Sequence, residues 1–380
     1  MGKCRLCGKE SVTVSNVIGV CADCLRSRKE ALKIALEPHE RYRRSLGLPV
    51  RPPRSRSGIK CGLCVNECVI GEGERGFCGY WRVREGILEP VVGRGNAAVI
   101  WYLDPHPTNC VAGHVCPANT PRGYPSYTRT EGIERGYHNL AVFFAACSLD
   151  CIFCQNWEHK NIISHEPIRG KYVRSTDELV SAAMNPKVSC ICYFGGDPGP
   201  HSPYAIQASR KIAKLAEDRG TIKRICWETN GLENTSVISE MCMLSLRTGG
   251  IVKIDWKAWT PSIYEALTGV DGHAAVKRLK RNIELIARHM NERPEPPLLV
   301  VSTLLVPGYV DVEEVENIAG FLADVNPRIP YVLLAFHPDH LLTDLPPTSN
   351  SHAFSALQAA KKAGLKEIYV GNIWLLGNYY

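Results

Sequence analysis

Three cysteines open the case for chemistry. CSLDCIFC sets Cys147, Cys151 and Cys154 in C-x3-C-x2-C spacing, directly after the apolar run NLAVFFAAC (139–147) and before a polar stretch. Three thiolates so spaced can ligate three irons of a [4Fe–4S] cube and leave the fourth iron open to a cofactor or substrate. A zinc site of three cysteines and a distant fourth ligand fits the spacing as well. Two more groups lie upstream. The pairs Cys4-x2-Cys7 and Cys21-x2-Cys24 suit a small tetrahedral zinc ribbon. Structural Zn2+, worth roughly 10–16 kcal/mol of apparent binding energy, would fold so short a segment without a core of its own. Cys61-x2-Cys64-x3-Cys68-x9-Cys78 offers four thiolates, enough to close a site completely. A closed site is structural or electron-transferring. A second Zn2+ and an auxiliary [4Fe–4S] cluster both fit it, and His114 or Cys116 could replace one ligand. Cys190, Cys192, Cys226 and Cys242 read as core cysteines, small apolar thiols that pack well.

Polar motifs recur at the ends of later apolar runs. YFGGDPGPH (193–201) carries Gly195 and Gly196, which allow backbone to approach a ligand closely, with Asp197 beside them to receive a cationic amine. Glu228, Thr229 and Asn230 close the next run, and Asp255 and Lys257 the one after. A lysine there would neutralise a carboxylate in a partly dry cleft. Taken singly, each polar residue is equally well a helix cap or half of a surface pair. In FHPDH (336–340), His337 is a candidate ligand contact or proton-transfer residue, although a lone histidine is more often structural.

These positions need a scaffold. The strand-like runs are 139–147, 189–194, 222–229, 250–256, 298–306, 331–336 and 367–370, with helical patterns between most of them. Thr176, Ser202 and Thr260 mark helix starts; Gly220 and Gly364 mark stops. Strands alternating with helices predict a parallel sheet with functional residues at the strands' C-terminal ends. The expected fold is α/β, a partial (β/α)6 TIM-type barrel with N-terminal cysteine-rich extensions, one zinc-ribbon-like and one metal-binding. The expected units are a zinc-ribbon-like module (1–25), a basic helix and linker (26–58, interrupted at Pro38), a cysteine-containing collar (59–138, irregular from 81) and the barrel (139–380).

The Cys147–Cys154 motif, with aromatic Phe153 before the last cysteine, resembles the hallmark of the radical S-adenosylmethionine (SAM) superfamily. GGDP resembles its GGEP-type motif, with Asp197 in place of glutamate. ETNG (228–231) and IDWK (254–257) resemble elements of the pyruvate formate-lyase activating enzyme group. The unit at 61–80, CQNWE (154–158), GGDPGPH and FHPD are together most similar to the radical SAM component of the AmmeMemoRadiSam system, over about 61–80 and 139–372. The resemblance implies that the open iron chelates the amino and carboxylate groups of SAM, with Gly195, Gly196 and Asp197 at the methionine amine. It further implies Glu228, Thr229 and Asn230 near the ribose or carboxylate, with Asp255 and Lys257 lining the pocket. The activity implied is reductive cleavage of SAM to a 5′-deoxyadenosyl radical that abstracts hydrogen from a substrate. One departure from the activases stands out: Val301, Ser302 and Thr303 occupy a strand where they carry an arginine toward SAM. That weakens the case for a glycyl-radical substrate and leaves cofactor cleavage untouched.

Composition bounds the alternatives. No stretch approaches the roughly 20 apolar residues of a membrane span, and MGKCRLCGKE lacks the apolar core of a signal peptide, so a cytoplasmic protein without membrane contact is expected. A reducing cytoplasm turns clustered cysteines toward metal. The net charge of +7 sits within residues 26–56, which hold ten Lys/Arg and three Asp/Glu. Such a segment is most often a solvated helix and linker, and otherwise attracts an acidic partner or nucleic acid. The partners expected are an external one-electron donor of ferredoxin or flavodoxin type and a protein substrate. Radical modification of a small metabolite is the enzymatic alternative, and a zinc or iron–sulfur scaffold for nucleic acid the non-enzymatic one.

Overall fold

In a computed structural model describing residues 1–380, one nine-stranded sheet organises the chain. Its strands are β1 (Asn96–Pro105), β2 (His138–Phe144), β3 (Val173–Ser175), β4 (Val188–Phe194), β5 (Arg224–Thr229), β6 (Val252–Asp255), β7 (Leu299–Leu305), β8 (Tyr331–Ala335) and β9 (Ile368–Gly371). The spatial order is β9-β8-β7-β6-β5-β4-β2-β1-β3. From β2 to β9 every pairing is parallel, while β1 pairs antiparallel with both β2 and β3. The seven parallel strands are those expected from sequence. The sheet does not close on itself, so the barrel is partial.

Burial follows the pattern this topology demands. β4 reads VSCICYF with every residue but the last buried, because helices cover the outside of a parallel sheet and side chains fill its inside. Covering helices include α5 (Thr176–Ala183), α6 (Ser202–Asp218), α7 (Thr235–Thr248), α8 (Pro261–Thr268), α9 (Gly272–Ala287), α10 (Val312–Val325) and α11 (Asn350–Lys362). Thr260 stands at the start of α8 as expected, although its hydroxyl donates to Glu314 and not back to the helix. The cap of α5 is Ser175, one residue before Thr176, in a complete capping box with Glu178.

The collar departs from the irregular segment expected. Residues 81–90 form a hairpin, and the ten residues of β1 extend the sheet along the outer edge of β2. Near the start of β5, Arg224 donates to Glu134 Oε1 at 2.9 Å and also to Oε2, while Ser189 Oγ donates to Glu134 Oε2 at 2.6 Å. This pair is fully buried and binds the collar to the N-terminal ends of β4 and β5.

The basic segment 26–46 is three short helices, α1 (Ala22–Ser27), α2 (Lys29–Ala35) and α3 (Glu37–Ser45), with Pro38 at the start of the third. It is not a wholly solvated face: His39 and Arg43 of α3 are buried. No helix is long and apolar enough to cross a membrane.

Candidate active site

The loop after β2 carries all three cysteines of the C-x3-C-x2-C motif, and they face an open cleft of about 240 Å³ at the C-terminal ends of the strands. The same cleft is lined by Phe153, Gly195, Gly196, Asp197, Glu228, Thr229, Asn230, Asp255 and Lys257. The fold therefore gathers nine of the ten residues expected to touch a cofactor around the three thiols. The tenth, His337, is exposed and does not line the cleft. Sequence reasoning passed over Asn156, Leu304, Leu334 and Asn372, which also line it.

Glycine is required at the turn after β4. Gly196 has φ +56°, and a Cβ there would lie 2.3 Å from the carbonyl oxygen of Phe144 and 2.5 Å from that of Ala146. Backbone, and only backbone, fits between the cysteine loop and the cleft at this point. Asp197 ties the turn to the next strand. Its Oδ1 accepts from Thr229 Oγ1 at 2.9 Å and Asn230 N at 3.0 Å; its Oδ2 accepts from Gly199 N at 2.9 Å.

The Thr229 hydroxyl lies between Asp197 and buried Glu233, although it has one proton to give. Burial pushes both carboxyls up, and the charge of Asp197 pushes Glu233 further.

Charge in the cleft is arranged in pairs. Lys257 contacts Asp255 Oδ2 and lies 5.6 Å from the centre of the Phe153 ring. Asp255 Oδ1 is buried and without a partner. Glu228 is held from beneath by Lys253, 3.2 Å away, which also contacts Cys192 Sγ at 2.9 Å and Cys110 Sγ at 3.3 Å.

The cysteine loop is held by a buried carboxylate inside the motif. Asp150 meets Lys160 Nζ at 2.7 Å, His39 Nδ1 at 3.0 Å and Arg43 Nη1 at 3.3 Å. The Lys160 ammonium above all, with the His39 hydrogen bond and the Arg43 guanidinium, holds its carboxyl well below the usual range against the opposing effect of burial. Lys160 comes from α4 (Glu158–Ser164), the helix that follows the motif, and the other two from α3. Burial pushes the Cys147, Cys151 and Cys154 thiols up, so uncompensated thiolates are costly here and a bound cation would relieve them. With the orphaned Asp255 oxygen and the side-chain-free turn, this donor set fits an iron–sulfur cluster and a zwitterionic ligand beside it.

Two more thiol groups assemble elsewhere. The ligand atoms of Cys4, Cys7, Cys21 and Cys24 lie within 4.8 Å of one another, a metal-binding geometry. Cys61, Cys64, Cys68 and Cys78 line one small space beneath Trp81 and Pro200. His114 and Cys116 are not part of it: His114 stacks on Tyr369 and Cys116 is buried. Cys190, Cys192, Cys226 and Cys242 are buried in the core, as expected.

Against known families, the Radical SAM superfamily description matches residues 141–322. An uncharacterized protein of Methanocaldococcus jannaschii is 24% identical over 330 residues, 83% of this chain and 81% of that one. Among solved structures, a domain of a pyruvate-formate lyase-activating enzyme from Bacteroides vulgatus is 20% identical with a TM-score of 0.37, covering 48% of this chain and 98% of its own. Streptococcus suis SuiB bound to precursor peptide SuiA is 12% identical with a TM-score of 0.40, covering 60% and 47%.

Proposed function

We propose that the chain, whose residues 141–322 match the Radical SAM superfamily description, is a radical SAM enzyme in which Cys147, Cys151 and Cys154 ligate the [4Fe–4S] cluster and the adjoining cleft takes SAM. The observation that carries this reading is the convergence of three thiols, the Gly196 turn and the Asp255–Lys257 pair on one cleft. When bound, cluster and SAM together supply reductive cleavage of the sulfonium to methionine and a 5′-deoxyadenosyl radical, which takes hydrogen from the substrate.

The chain's own residues bind, orient and shield. Lys257 offers its ammonium to the methionine carboxylate, and the backbone around Gly195 and Gly196 lies against the methionine amine. Asp197 acts chiefly by fixing this turn to β5 through Thr229 and Asn230. Asn230 reaches the cysteine loop itself, with Nδ2 donating to Ser148 Oγ at 2.9 Å. Phe153, Leu304 and Leu334 exclude water from the reacting end.

Radical SAM enzymes need an electron donor, and a low-potential ferredoxin- or flavodoxin-type protein is the donor proposed. The proposed substrate is a segment of another protein. Exposed apolar residues stand on both sides of the sheet, Ile100 and Tyr102 on β1 and Ile373 and Trp374 next to the cleft-lining Asn372. Exposed apolar surface of this kind suits a macromolecule better than a polar metabolite. For the N-terminal cluster the proposed ion is Zn2+. The Cys4–Cys24 and Cys7–Cys21 sulfur separations are both 3.7 Å, against the edge of about 3.8 Å of a tetrahedron with ~2.3 Å Zn–S bonds.

The test is anaerobic reconstitution followed by SAM and dithionite. The reading predicts a brown protein that forms 5′-deoxyadenosine and a Cys151→Ala variant that forms none. A colourless zinc protein that leaves SAM intact would refute it.

A further inference from the structure

Why the four-thiol loop at 61–78 is pressed against the cysteine loop of the cleft is not explained by SAM cleavage. Asn66, between Cys64 and Cys68 and 5% exposed, donates from Nδ2 to the carbonyl of Ser148, the residue after Cys147, at 2.7 Å. Arg43 makes a second link. It is 3% exposed and donates to Phe77 O beside Cys78 and to Asp150 Oδ1 inside the C-x3-C loop. Backbone bonds fix the same loop to the segment after β5, with Val65 N donating to Leu232 O and Asn234 N to Leu63 O, each at 2.9 Å.

Exposed basic side chains flank the four-thiol loop, next to a cavity that Arg51 and Arg54 share with Glu40, Glu67, Glu265 and Asp271. Arg54, Arg56 and Lys60 are exposed, and Arg54 pairs with Val69 in a backbone bridge next to Cys68. Lys60 is countered by Glu67 at 2.6 Å, whereas Arg54 and Arg56 have no carboxylate partner.

We propose that Cys61, Cys64, Cys68 and Cys78 hold a redox-active iron–sulfur centre that is the electron entry port of the enzyme, fed by an acidic iron–sulfur protein docking on Arg54 and Arg56. This rests on the radical SAM reading of the cleft and adds its supply route. One electron leaves the reduced cluster of the donor, which is oxidised by one unit. The four-thiolate centre takes up that electron and returns to its oxidised form when the cluster at Cys147, Cys151 and Cys154 receives it. No bond forms or breaks and no proton moves in the relay. The links through Asn66–Ser148 and Arg43 give it a short buried path. Arg43 favours the more negative, reduced form at both ends, because each centre gains negative charge on reduction. Four cysteines leave no open coordination position, which suits a carrier and not a site of SAM cleavage.

The experiment compares two reductants on the full-length, anaerobically purified protein. Dithionite is small enough to reach the cleft directly; an acidic two-[4Fe–4S] ferredoxin must dock. Wild type is expected to hold about eight irons, to show two reduced cluster signals in electron paramagnetic resonance, and to form 5′-deoxyadenosine with either reductant. Cys64→Ser/Cys68→Ser should lose about four irons and one signal. The ratio of its ferredoxin-driven to its dithionite-driven rate of 5′-deoxyadenosine formation should fall at least tenfold below that of wild type. Arg54→Glu/Arg56→Glu, on exposed positions that leave folding intact, should keep both signals and the dithionite-driven rate. Its KM for ferredoxin should rise about tenfold, and the wild-type KM should rise with salt. Zinc at the four-thiol site, or a ferredoxin-driven rate unchanged in the double-serine variant, overturns the relay. If wild type fails even with dithionite, the radical SAM reading itself falls and the relay with it.

Discussion

Asp150→Ala is the sharpest test of how the reactive loop is held. The carboxylate is 1% exposed and is met by Lys160, His39 and Arg43 at 2.7, 3.0 and 3.3 Å. Removing it leaves Lys160 and Arg43, themselves 2% and 3% exposed, without their counter-ion. Breaking a buried pair from one side costs about 3–5 kcal/mol, because the surviving charge stays desolvated. For a chain of 380 residues that corresponds to a fall in Tm of roughly 4–6 °C. Asp150→Asn keeps an acceptor for Lys160 but not the charge, so it should fall between wild type and alanine. The loop that loses its anchor is the one bearing Cys147, Cys151 and Cys154, so iron content after anaerobic desalting should drop along with Tm. The assay is differential scanning fluorimetry with iron determination on the same samples. An alanine variant within about 1 kcal/mol of wild type that retains its iron would refute the claim that this cluster of charges positions the loop.

Three other outcomes follow from the same geometry. Gly196→Ala places a Cβ 2.3 Å from Phe144 O at φ +56°, so the turn must move, and the Kd for SAM measured calorimetrically should rise at least tenfold; an unchanged Kd would remove this turn from the binding site. Glu134 is held down at about 2, against the opposing effect of burial, chiefly by its hydrogen bond to Arg224. Its stabilisation is therefore complete above the unfolded value near 4.5 and disappears as pH falls toward 2; urea unfolding should show a loss of about 2 kcal/mol between pH 5 and pH 3 that Glu134→Gln lacks. The Cys4–Cys24 cluster should contain one zinc per chain by mass spectrometry, lost in Cys4→Ala/Cys24→Ala. Tm should fall with it, since Tyr309 Oη accepts from Ser15 N at 3.0 Å and donates to Val20 O at 2.9 Å, docking the ribbon on the barrel; a metal-free but equally stable variant would count against this.

The barrel was legible because its strands are bounded apolar runs and its cleft residues fall at the ends of those runs. β4, β5 and β6 appear nearly where SCICYF, IKRICWET and GIVKIDW place them, and the polar residues that follow all reach the cleft. β1 was not legible. NAAVIWYLDP lies among glycines and prolines, pairs antiparallel and exposes Ile100, Tyr102 and Leu103, so neither its surroundings nor its pattern matched the buried strands of the core. The buried charges were missed for a different reason. Lysine, arginine and aspartate are almost never fully buried unless paired, and nothing in the spacing of residues 39, 43, 150 and 160 reveals that the fold will pair them. His337 shows the converse, where a histidine at a strand end turned outward.

These misses point to one property of the molecule. A cluster that leaves one iron open must present it at a fixed place and angle, since a misplacement of about 1 Å can cost catalysis two orders of magnitude. Within the barrel the C-x3-C loop leans on Asn230 through Ser148, on α8 through Asp150 N to Thr268 O at 2.8 Å and Ile152 N to Leu267 O at 3.1 Å, and on Lys160 of α4. Further supports come from outside it: His39 and Arg43 from α3, and Asn66 from the four-thiol loop. The extension before the barrel therefore helps to hold the cysteine loop, and Asn66 sets the four-thiol loop against it at the carbonyl of Ser148.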